Sequence, residues 1–199
     1  MKSKKSESKY KTLNKGNLLI MSGPSGAGKG TVVSELLKLM PEVMLSVSVT
    51  TRKPRFGEID GVSYFFVSEE KFLQMIENDE LLEYDRHFGN YYGTPKEYVY
   101  ENLMQGKDVL LEIDIAGAKQ VKDKYPEAKL FFITAPSIDE LKRRLVCRNS
   151  ESENQLSERL LRVEEEMKRR EEYDYAVTND TVDNAVNKII QIIKEMKNK

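Results

Sequence analysis

The stretch Leu18-Leu19-Ile20-Met21-Ser22-Gly23-Pro24-Ser25-Gly26-Ala27-Gly28-Lys29-Gly30-Thr31 constrains this chain more than any other. A short apolar run ends there in a glycine-rich turn, and a helix pattern follows it with Val32, Val33, Leu36, Leu37, Leu39 and Met40 as its apolar positions. Strand, glycine loop and helix in that order are the context a phosphate-binding loop requires. The glycines let successive N–H groups point into one concavity, where they and the helix N-terminus attract phosphate oxygens. Lys29 reaches such phosphates as a mobile point charge. The motif G-x-x-x-x-G-K-[ST] fails only at its last place, where Gly30 replaces a hydroxyl and Thr31 follows one residue later. The competing reading is a glycine turn that caps an ordinary helix, and the preceding strand disfavours it.

A length of 199 residues suits one full-sized core with a small mobile subdomain. Acidic and basic residues nearly cancel, 33 against 32, so charge does not point to nucleic acid or an anionic membrane surface. The single cysteine, Cys147, excludes an internal disulfide and fits a reducing compartment. No apolar stretch has the length of a membrane span or of a signal-peptide core, so a cytoplasmic location is expected. Residues 1–15 carry six lysines among serines and read as a solvated, disordered tail.

Along the chain, residues 43–51 read as one β-branched strand, followed by the basic turn Arg52-Lys53-Pro54-Arg55. Two arginines there, just after a strand, suit a clamp for a second phosphate. Ser68 is placed to cap a helix whose apolar stripe is Phe72, Leu73 and Ile76. Residues 81–88 read as a strand, Gly89 to Thr94 as a tyrosine-bearing turn, and Pro95 as a helix start. Buried strands are expected over 107–114 and 129–135, the first ending in carboxylates, with a short strand near Tyr175 and an amphipathic helix from Val182. Strands alternating with helices indicate a parallel sheet with ligands at its C-terminal edge, where the glycine loop and Asp114 both fall. The arginine-rich segment 138–171 reads mainly as solvated helices with i,i+4 ion pairs.

The stretches Ser46-Val-Ser48-Val-Thr-Thr-Arg52-Lys-Pro-Arg55-Phe-Gly-Glu58-Ile-Asp-Gly61-Val-Ser-Tyr64 and Gly89-Asn-Tyr-Tyr92-Gly-Thr94 closely resemble guanylate kinases. The similarity runs from about Asn17 to Met196. The resemblance implies an α/β fold: a P-loop parallel-sheet core, an inserted GMP-binding subdomain and a helical lid. It divides residues 16–199 into a core (16–44, 101–137 and 172–199), a subdomain (45–100) and a lid (138–171). It also implies transfer of the γ-phosphoryl of ATP to GMP, and to dGMP, with magnesium.

By motif position, ATP is assigned to Gly23, Pro24, Ser25, Gly26, Ala27, Gly28, Lys29, Gly30 and Thr31, with Asn179 at the adenine. GMP is assigned to Ser48, Arg52, Arg55, Tyr64, Glu83, Tyr92, Thr94 and Asp114. Arg144, Arg148 and Arg159 match lid arginines that act with Lys29 on the transferring phosphoryl. Magnesium has no firm protein ligand, Thr31 being the one candidate. Ala116 departs from the family's usual glutamine. His87, the single histidine, is expected to be structural or on the surface. Partners beyond the two nucleotides are not implied: neither nucleic acid nor membrane, and a monomer or homo-oligomer. The rival from another class is a guanylate-kinase-like protein-binding module without catalysis, in which a degraded phosphate loop is expected.

Overall fold

Strand β1 (Leu18–Ser22) is buried at every residue because it runs through the middle of a parallel sheet with helices on both faces. The computed structural model describes residues 16–87, 89–146 and 153–197, and only the backbone within 153–160. The tail 1–15, Cys147 and Arg148 lie outside the described residues, as does the side chain of Arg159.

After β1 the chain forms α1 (Lys29–Leu39), β2 (Met44–Leu45), β3 (Val49–Thr50), β4 (Phe65–Phe66), α2 (Glu69–Glu77), β5 (Leu81–His87), β6 (Asn90–Pro95) and α3 (Lys96–Met104). There follow β7 (Val109–Glu112), α4 (Ile115–Lys124), β8 (Lys129–Thr134), α5 (Ile138–Val146), α6 (Glu153–Lys168), β9 (Tyr175–Thr178) and α7 (Val182–Lys197). The main sheet is parallel throughout, in the order β2-β7-β1-β8-β9. Alternation along β1 sends Leu19 and Met21 to one face with Leu36 of α1 and Ile189 of α7, and Ile20 to the other with Val99 of α3 and Val121 of α4.

A second sheet, β4-β3-β6-β5, stands over the C-terminal edge of the first and has its own small core of Val49, Phe72 and Leu81. The expected strand 43–51 is in fact two. Met44–Leu45 pairs with β7, whereas Val49–Thr50 pairs with β4 and β6, so Ser46 to Ser48 carries the chain from one sheet to the other. The tyrosines expected on a turn stand on β6, so period-2 alternation separates them: Tyr91 stacks on Phe72 with ring centroids 5.2 Å apart, while Tyr92 faces the cleft. Ser68 caps α2 as expected, its Oγ accepting from the Lys71 N–H at 3.1 Å, but Leu73 is exposed and Phe72 and Ile76 carry the packing.

Helix α4 ties the sheets together. Gln120 exchanges two hydrogen bonds with the backbone of Tyr84, and Lys124 donates to the Leu82 carbonyl, so the outer edge of β5 is covered by side chains. Among the described residues, no helix is long and apolar enough to cross a membrane.

Candidate active site

The C-terminal ends of β1 and β7 and the facing side of the second sheet enclose a cleft of about 950 Å³, at the large end for small-molecule sites. One end is the glycine loop. Gly23 sits at φ +140°, and a Cβ there would stand 2.0 Å from the Ile133 carbonyl oxygen, so no larger residue can make this turn. Gly23, Ser25, Gly26, Gly28, Lys29 and Gly30 line the cleft. Lys29 Nζ folds over the loop and donates to the carbonyls of Gly23 (2.6 Å) and Pro24 (3.1 Å). Thr31 is exposed on the first turn of α1. The Ser25 N–H donates to Glu166 Oε2 of α6 at 3.1 Å, a contact spanning 141 residues that spacing along the chain does not announce.

Asn179, assigned to adenine, is 4% exposed and braces the loop: its Nδ2 donates to the Ala27 carbonyl at 2.9 Å and its N–H to the Thr134 carbonyl at 2.6 Å. Arg144 braces Asn179 in turn, donating to its carbonyl at 3.2 Å and to Glu140 at 2.7 Å. Arg144 is thus held behind the loop; Arg162, read from sequence as a solvated charge, lines the cleft.

The arginine turn adjoins the cleft through Tyr64, which lines it. Arg52 makes a forked pair with Glu58, at 3.0 and 2.9 Å, and lies 5.4 Å from the ring centroid of Tyr64. Hydrogen bonds to Glu58, and to a lesser degree Tyr92, raise the guanidinium's pKa, while Arg52 and the Arg55 N–H hold the Glu58 carboxyl below the usual range. Tyr64 and Tyr92 meet edge to face at 6.2 Å, and burial raises the Tyr64 hydroxyl. The Arg55 side chain is exposed.

At the far end Glu83, 4% exposed, projects from β5 with Ser48 opposite on the cleft wall. The fully buried Thr94 donates its hydroxyl to Glu83 Oε1 at 2.6 Å, so Thr94 orients the carboxyl. Burial pushes Glu83 up to about 7, helped by the nearby Asp114 and Asp85 and opposed by the Thr94 bond. Asp114 caps α4, its Oδ1 accepting from the Gly117 N–H at 2.6 Å, while its Oδ2 forms a short hydrogen bond with His87 Nε2. Burial opposes its ionisation, but those bonds outweigh it and hold its pKa below normal. His87, expected to be structural or on the surface, lines the cleft, and so does Asp85. Glu83, Asp85 and His87 alternate along one face of β5, a period-2 pattern readable in the sequence.

The arrangement is a backbone anion cradle and a buried two-acceptor carboxyl in one cleft, with an arginine fork beside the cleft-lining Tyr64. The family model described as guanylate kinase matches residues 15–196. This chain belongs to the guanylate kinase family. It is 51% identical over 187 residues to a guanylate kinase of Clostridioides difficile, covering 94% of this chain and 91% of that one. It is also 51% identical over 178 residues to one of Caldanaerobacter subterraneus, covering 89% and 86%. A crystal structure of guanylate kinase from Anaplasma phagocytophilum superposes with a TM-score of 0.77 at 33% identity, covering 93% of this chain and 88% of that one. The family resemblance of the two quoted stretches is thereby borne out. Asp85, His87, Arg162 and Glu166 are among the cleft residues that the motif matching left unassigned.

Proposed function

We propose that this chain transfers the γ-phosphoryl group of ATP to GMP, and to dGMP, giving ADP and the guanosine diphosphate. The observation that carries this reading is the pairing, across one cleft, of the glycine loop with the buried Glu83 carboxyl. Relatives named guanylate kinase at 51% identity over most of their length support it. The intact loop and the Arg52 fork support an enzyme over a binding module.

On this reading residues 45–100 receive GMP and 138–171 act as a lid. The loop N–H groups and the N-terminus of α1 hold the ATP phosphates, and Lys29 turns from the loop carbonyls to the β- and γ-oxygens. Arg52 exchanges Glu58 for the GMP phosphate, with Arg55, Tyr64 and Tyr92 completing its shell. Glu83, oriented by Thr94, accepts from guanine N1–H and the exocyclic amine; the Ser48 hydroxyl addresses the O6 and N7 edge, and Asp114 adds an acceptor. Arg148 and Arg159 neutralise charge as the lid closes, joined by Arg144 once it releases Glu140 and the Asn179 carbonyl, and Asn179 fixes the loop that carries ATP.

Magnesium supplies further neutralisation of the phosphate oxygens when it arrives with ATP. Thr31, exposed on the first turn of α1, is a hard hydroxyl oxygen that would suit it, and ATP and water would complete its shell. Phosphoryl transfer needs little covalent chemistry from the protein, so positioning and charge carry the rate.

The test is ADP release with ATP and each of GMP, AMP, CMP and UMP as acceptor. GMP should exceed the others by on the order of 10⁴ in kcat/KM, because a site built for a substrate N–H leaves buried acceptors unpaired with an analogue lacking it. A faster reaction with another acceptor, or ADP release indifferent to acceptor, would overturn the assignment.

A further inference from the structure

The wall that faces the base in the proposed function holds more negative charge than a site for an anion should tolerate. Glu83, Asp85 and Asp114 all line it. A Cβ placed on Gly117 would stand 2.5 Å from Glu83 Oε2 and 3.1 Å from Asp114 Oδ1, so the two carboxylates flank one residue. Like charges this close oppose each other's ionisation, and the incoming monophosphate adds to the repulsion. One side chain meets this charge directly. His87 Nε2 lies 3.2 Å from Asp85 Oδ2 and forms the short bond to Asp114 Oδ2, and its ring stands 6.4 Å from that of Tyr92.

We propose that His87 is a positioning residue for guanine recognition. It fixes the Asp114 carboxylate toward the cleft and supplies the positive charge that balances Asp85 and Asp114 beside Glu83. The inference rests on the guanylate kinase reading of this cleft. The Gly117 N–H fixes only one Asp114 oxygen, and His87 takes the other. The bond to Asp114 raises the imidazole pKa against its burial, with Asp85 on its own strand also raising it and Arg162 of α6 lowering it. Lys124 acts on Glu83 from behind, but its ammonium is committed to the Leu82 carbonyl.

The test compares wild type with the neutral His87→Gln and the cationic His87→Lys, using melting temperature and separate KM values for GMP and ATP from pH 6 to 9. Losing a hydrogen bond between charged groups should raise the GMP KM of His87→Gln by roughly 10- to 100-fold at pH 6.5. With kcat and the ATP KM held within about twofold, the effect is one of acceptor binding. The ratio of variant to wild-type KM should shrink as pH rises, since wild type then loses the imidazolium that the variant never had; Glu83 titrates in both and largely cancels. His87→Lys should restore much of the loss at pH 6.5. A variant ratio near one at every pH, or parallel losses in kcat, ATP KM and melting temperature, would overturn the role of His87 alone. Wild-type protein that fails to phosphorylate GMP would overturn the reading of the cleft and this inference with it.

Discussion

Replacing Glu83 by Gln should make the protein more stable while impairing its use of GMP, and the pH dependence of the gain is fixed in advance. In the folded chain burial pushes this carboxyl from 4.5 to about 7. The folded state therefore holds the proton more tightly than the unfolded chain. Stability contributed by the protonated group is present below pH 4.5 and is lost as pH rises through 7. The difference of about 2.5 pKa units corresponds to roughly 3 kcal/mol, fully developed by pH 8. Gln cannot ionise, and its carbonyl can still accept from Thr94. The variant should thus exceed wild type by up to about 3 kcal/mol at pH 8 and by less than about 0.5 kcal/mol at pH 4.5. For a domain of this size the gain at pH 8 corresponds to a melting-temperature rise of roughly 6–12 °C. Denaturation of both proteins at the two pH values, with kcat/KM for GMP at pH 8, makes the measurement. A stability difference independent of pH, whatever its sign, would refute the reasoning.

Lys29→Met should keep the melting temperature within a few degrees, since the bonds the ammonium donates to Gly23 and Pro24 stay within its own loop, yet lower kcat by on the order of 10² or more through lost charge stabilisation; turnover near wild type would remove Lys29 from catalysis. Glu166→Ala should tighten ADP binding by roughly fivefold, because the Ser25 N–H then meets phosphate without first giving up a carboxylate partner worth about 1 kcal/mol. Calorimetry showing weaker ADP binding would mean that Glu166 supports the bound nucleotide.

The parts of the site legible in sequence were those whose partners are close along the chain. The loop declares itself because its strand, glycines, lysine and helix occupy one continuous stretch, and the Ser68 cap closes within three residues. Propensity fails where tertiary pairing decides. The β-branched run 43–51 looks like one strand, but no local signal marks Ser46 to Ser48 as the passage between two sheets. Tyr91 and Tyr92 lie between two glycines, which suggests a turn, yet pairing with β5 extends them. The Glu166 contact with the loop and the Arg144 brace on Asn179 span 141 and 35 residues; charge patterning read that segment as solvated helices, and the family resemblance placed Arg144 in the lid. The β5 face was readable in principle, since Glu83, Asp85 and His87 alternate, but the lone histidine carried no motif to attract attention.

Three of the recognition groups in and beside the cleft share a feature that bears on selectivity: an internal group of opposite charge or a carboxylate acceptor holds them. Arg52 is forked by Glu58, the Ser25 N–H meets Glu166, and Asp114 meets His87. The Arg52–Glu58 pair is only 14% and 20% exposed on its side chains, so water and salt screen it less than a fully exposed pair. An entering group must therefore replace a carboxylate, and a neutral nucleoside cannot do so. A monophosphate carries up to two charges and three acceptor oxygens against the single charge of Glu58. On the proposed reading the internal pair works as a threshold. It keeps the fork ordered, and it yields only to a ligand more strongly anionic than the side chain it displaces.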